Sequence, residues 1–120
     1  MSLKSDQARL EAIATMLDDI DYIVSRHGGV EAALADREGQ PALMMCCQQL
    51  GEALNKIEDG GYRGQLPVAL AYGLRNVIAH DYFGVSLERV GNTIKNSLPE
   101  LKVKIHALMD KVGRIPPSAG

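Results

Sequence analysis

Residues 6–27 read DQARLEAIATMLDDIDYIVSRH, and this stretch decides the fold. Leu10, Ile13, Leu17, Ile20 and Val24 recur at alternating steps of three and four, while Asp18, Asp19 and Asp21 fall elsewhere. A period near 3.6 gathers the apolar set on one stripe of a helix, with the acids turned to water. Gly28 and Gly29 stop the helix, because glycine adopts the left-handed cap that other residues resist. A short helical piece, Val30 to Ala35, follows. A second long helix is expected from about Pro41, through Leu43, Cys47, Leu50, Leu54 and Ile57, to a stop at Asp59-Gly60-Gly61. Tyr62-Arg63-Gly64-Gln65 reads as a loop, and Pro67 opens a third helix that continues to roughly His80.

Ser86 looks like an N-cap for the next stripe, Leu87, Val90, Ile94 and Leu98. Ser97-Leu98-Pro99-Glu100 has the spacing of a capping box, yet the stripe runs on in phase at Leu101, Ile105, Leu108 and Val112. Two consecutive helices bent at Pro99, or one kinked helix, are therefore expected. No stretch alternates with period two. The reading is an all-α antiparallel bundle of about four to six helices, one domain over residues 1–112 with a flexible tail at 113–120.

Composition narrows the function. The chain has 120 residues, 46% apolar and 23% charged, which fits one soluble globular domain and excludes a disordered chain. It has five aromatics and no Trp, and four of the five lie between Tyr62 and Phe83. The net charge of −2 divides into −6 for residues 1–60 and +4 for residues 61–120, so an anion would meet a local patch and not a basic coat. Cys46 and Cys47 are sequence neighbours and point about 100° apart on a helix, which suits neither a loop-closing disulfide nor a metal pair. The apolar runs fall far short of the ~20 residues that cross a bilayer, and no signal pattern opens the chain. A cytoplasmic protein off the membrane is expected.

The residues with chemistry lie in Leu74-Arg75-Asn76-Val77-Ile78-Ala79-His80-Asp81-Tyr82-Phe83-Gly84. On a helical wheel Asn76 and His80 share a ridge with Tyr72 one turn back, while Arg75 sits about 140° from His80. Arg75 must reach across, the helix must distort, or a second subunit must complete the site. Histidine both takes and gives a proton near neutral pH. Arginine stays charged and grips a phosphoryl group with paired donors. Asn76 can hold the imidazole tautomer or a substrate oxygen. No metal-ligand spacing is present, so a metal-independent reaction with no cofactor is expected. On RNA that is attack of the 2′-hydroxyl on the adjacent phosphate, which DNA cannot undergo. Taken singly, an Arg and a His on a helix are far more often a surface salt-bridge donor and a helix-end histidine than catalytic groups.

Arg75-Asn76-x-x-x-His80-x-Tyr82, followed by Phe83-Gly84, resembles the Arg-x4-His-x-Tyr signature of the HepT-like branch of the HEPN superfamily. Ile13 to Val24 is similar to that family's first helix, Leu50-Gly51-Glu52-Ala53 to its second, and Ser97-Leu98-Pro99-Glu100-Leu101 to its closing helix. The resemblance implies a HEPN-like helical-bundle toxin of a type VII-like toxin–antitoxin pair, a metal-independent endoribonuclease acting on RNA as a homodimer. Arg75 and His80 would be its catalytic pair, with Asn76 supporting. Glu52 would either orient Arg75 or His80 or simply face solvent. The implied partner is an MntA-like nucleotidyltransferase antitoxin that transfers AMP to Tyr82. A non-catalytic module that binds a nucleotide or docks a nucleotidyltransferase is the alternative, and a scaffold dimer with a merely structural motif is a third.

Overall fold

Leu10, Ile13, Leu17 and Ile20 are all buried in the computed structural model of the protein, which describes residues 3–58, 60–66 and 87–113. They line α1 (Leu3–His27). The helix ends where the glycine pair says it must: Gly28 has φ 85° and Gly29 φ 148°. Gly29 N–H donates to the Val24 carbonyl at 3.0 Å and Gly28 N–H to the Ser25 carbonyl at 3.2 Å. That crossed pair satisfies carbonyls which the helix end would otherwise orphan.

Next come α2 (Val30–Ala35) and α3 (Gly39–Asn55). The start of α3 falls two residues before the expected Pro41, and Asp36 is the reason. Its Oδ2 accepts the N–H groups of Glu38 at 2.8 Å and Gly39 at 2.9 Å, which nucleates the helix early. Those two bonds hold the Asp36 carboxyl below its ordinary value, with His27 adding to the effect. Gly39 is required for packing: a Cβ there would lie 2.5 Å from the Ala33 carbonyl oxygen, backbone that cannot swing aside. At its other end α3 stops at Asn55, and Ile57, expected on the helix, is buried just beyond it.

Gly60–Gln65 form α4 and not a loop. Three glycines argue against a helix by propensity, but Tyr62 and Leu66 stand one turn apart and both pack on the core. Burial of that pair outweighs the local preference. Helices α5 (Leu87–Asn96) and α6 (Leu98–Gly113) close the described chain. Their joint is Ser97, where the capping-box spacing put the start of a new helix with Pro99 in its first turn. Proline has no N–H to offer the carbonyl four residues back, so the ladder opens before the proline and not at it. Of the expected tail, Gly113 ends α6 and the rest lies outside the described residues.

Among the described residues there are six helices and no strand, an all-α bundle. Helix α1 is central and packs on α2, α3 and α6. Leu43, Cys47, Leu50 and Leu54 meet it from α3, and Leu101, Ile105 and Leu108 from α6. Among the described residues no aromatic side chain is fully buried. Lys102 of α6 reaches back to α1, 2.6 Å from Asp21 and 3.4 Å from Asp18, and those acids raise its pKa. No described helix is long and apolar enough to cross a membrane.

Candidate active site

Arg75, Asn76, His80 and Tyr82 lie outside the described residues, as do the expected helix from Pro67 to His80 and the Ser86 cap. What the fold displays is the chain on either side of residues 67–86. On the leading side α4 ends at Gln65, and Leu66 beyond it is buried, its N–H donating to the Tyr62 carbonyl at 3.1 Å. On the trailing side Leu87 packs against the core, and Val90 and Ile94 are buried below it. Gly91 brings α5 close to α2, for a Cβ there would sit 3.3 Å from Leu34 Cδ1. The stretch bearing the signature thus begins and ends on core-packed side chains.

The turn leading into α4 is fixed from a distance. Asp6, only 1% exposed, accepts the Glu58 N–H at 3.0 Å and the Arg9 guanidinium at 3.2 Å, and Arg9 also lies 3.5 Å from Glu58. A buried carboxylate is tolerated only when charge and hydrogen bonds compensate its desolvation, and this one has both. Its effect is to pin residue 58 to the start of α1, just ahead of α4. Sequence reading missed this role. The Asp6–Arg9 spacing was a signal for the ion pair, but nothing local announces a bond across 52 positions.

Glu52 is exposed on α3, flanked by buried Gly51 and half-buried Ala53. The side chains it was expected to orient, Arg75 and His80, lie outside the described residues. The cysteines are poor nucleophiles. Burial pushes the Cys47 thiol up to about 12, and burial together with Asp19 raises that of Cys46, so both stay protonated at neutral pH. His27 is engaged elsewhere: Nδ1 lies 2.8 Å from the Ile23 carbonyl and Nε2 3.2 Å from Asp36. Among the described residues no group of acids, histidines and cysteines is arranged to hold a metal ion.

Comparison with known proteins bears on the whole bundle. A family described as Ribonuclease HepT-like matches residues 13–108. A "Probable ribonuclease HepT" of Thermococcus cleftensis is 29% identical over 107 residues, covering 88% of this chain and 96% of its own length. A "Putative RNase" of Caldanaerobacter subterraneus is 25% identical over 113 residues, 91% of this chain and 98% of that one. Another "Putative RNase", from Methanocaldococcus jannaschii, is 26% identical over 102 residues, 83% of this chain and 81% of that one. No solved structure matches the chain.

Proposed function

Because this chain belongs to the HepT-like ribonuclease family, we propose that it is a metal-independent endoribonuclease, the toxin of a toxin–antitoxin pair, working as a cytoplasmic homodimer. The observation that carries the reading is the extent of the family match, which from residue 13 to residue 108 includes the positions of Arg75, Asn76, His80 and Tyr82. The chemistry follows from what those side chains can do. One His80 takes the proton of an RNA 2′-hydroxyl as its oxygen attacks the neighbouring phosphorus. The bond to the 5′-oxygen breaks, and the second subunit's histidine returns a proton to that oxygen. Arg75 holds the phosphoryl oxygens as charge builds on them. Pairing two motifs across an interface answers the wheel geometry, in which Arg75 and His80 of one helix point well apart.

Purified protein will cut single-stranded RNA in excess EDTA and will leave DNA of the same sequence whole. An intact RNA under those conditions would refute the reading. Regulation falls on Tyr82, two residues past His80. Its hydroxyl oxygen attacks the α-phosphorus of ATP in an MntA-like nucleotidyltransferase, and pyrophosphate leaves. The attached phosphate puts negative charge where the RNA backbone must bind. Coexpression with that enzyme will raise the intact mass by whole AMP units, and Tyr82→Phe will remove the increment. An unmodified wild-type chain beside an active transferase would discard this mode of control.

A further inference from the structure

The outward sides of the long helices are mostly charged. Helix α1 exposes Glu11, Asp19 and Arg26, α5 exposes Glu88 and Arg89, and α6 exposes Glu100, Lys104 and Asp110. Helix α3 is different. Glu52 is the sole charged residue among its 17, and the nearest cation, Lys56, stands just past its end. With Leu43, Cys47, Leu50 and Leu54 turned to the core, the opposite strip runs through Pro41, Met45, Gln48, Gln49 and Glu52. All five are exposed, Met45 by 55%. Depletion of charge and enrichment in Met mark the centre of a protein–protein interface and not a surface left in water. The strip also has a middle. Met45, Gln48, Gln49 and Glu52 adjoin one another at steps of three and four, and their midpoint falls between Gln48 and Gln49.

We propose that this strip of α3 is the face through which two copies of the chain pair, antiparallel, about a twofold axis between Gln48 and Gln49. The proposal rests on the homodimer of the ribonuclease reading and gives it a contact surface. The amides select the occupant. At a twofold contact the same patch faces itself, so a charge at its centre is repelled by its own copy. Glutamine carries donors and an acceptor together, so Gln48 and the partner's Gln49 satisfy one another. The same symmetry sets Glu52 against the partner's Met45 and keeps the two carboxylates roughly 10 Å apart along the helices. One helix face about 25 Å long covers less than the roughly 800 Å² that each partner gives a standard interface, so the pairing depends on concentration.

Sedimentation equilibrium over a range of micromolar concentrations tests this. Gln48→Lys combined with Gln49→Lys gathers like charges at the axis and will weaken the dimer about tenfold or more, and the pair Gln48→Glu with Gln49→Glu will do the same. Mixed in equal amounts, the two variants will pair again as mixed dimers. Each will keep the wild-type helical circular dichroism, since only exposed positions change. Val103→Lys, at an exposed position of α6, will leave the dimer as tight as wild type. If wild type dimerises and cuts RNA in EDTA while the double Lys variant dimerises equally well, the α3 proposal falls and the ribonuclease reading stands. Variants that each lose the dimer and do not regain it on mixing would also overturn the proposal. A wild-type chain that stays monomeric would remove both this face and the homodimer. Pairing that behaves as predicted in a protein that never cuts RNA would keep the face and remove the catalysis.

Discussion

His80→Ala will cut RNA about 10² to 10⁴ times more slowly than wild type, the range that a positioned general acid–base group supplies. The upper end is expected, because in a dimer of identical chains one substitution removes both the base that accepts the 2′-hydroxyl proton and the acid that protonates the leaving oxygen. The thermal midpoint should barely move, which separates a chemical loss from a folding loss. Full activity in His80→Ala would end the assignment. Mixed dimers sharpen it further. A heterodimer of His80→Ala with wild type has one imidazole, so its rate should resemble the mutant's more than the mean of the two.

Leu50→Ala makes the opposite pattern. Leu50 has no exposed surface and sits in the α1–α3 seam at the middle of the core. Removing three carbons there costs their transfer free energy plus that of the cavity left behind, about 2–5 kcal/mol. In a domain of this size that lowers the melting midpoint by roughly ten degrees. Calorimetry or circular dichroism melts check it, and a shift of under two degrees would show that the seam is not packed as described. RNA cleavage per folded molecule should be retained at low temperature, since Leu50 acts only through the folded population.

The two variants mark where sequence alone was informative. Periodic apolar residues announced α1, α2, α3, α5 and α6, because burial of a stripe is a repeating local pattern. Gly28-Gly29 announced a stop for the same reason: left-handed backbone is written into the residue type. The misreadings share a cause, which is that nonlocal or side-chain contacts outweighed local propensity. Helix α4 exists because Tyr62 and Leu66 find the core, despite Gly60, Gly61 and Gly64. The early start of α3 depends on a carboxylate reaching forward from Asp36. Asp6 is the extreme case, since its partner at residue 58 is adjacent only after folding. For the site, the Arg75-x4-His80-x-Tyr82 spacing carried the family to which the chain belongs. The roles of those side chains are chemical arguments, and catalysis decides them.

The most direct measurement is identification of the RNA ends made by the purified protein in excess EDTA, on a substrate and on its copy with one 2′-deoxy sugar at the cut. Attack by the 2′-hydroxyl predicts a 2′,3′-cyclic phosphate on one fragment, a free 5′-hydroxyl on the other, and no cut at the deoxy position. A 5′-phosphate product, or cleavage that persists across the 2′-deoxy sugar, would contradict the account.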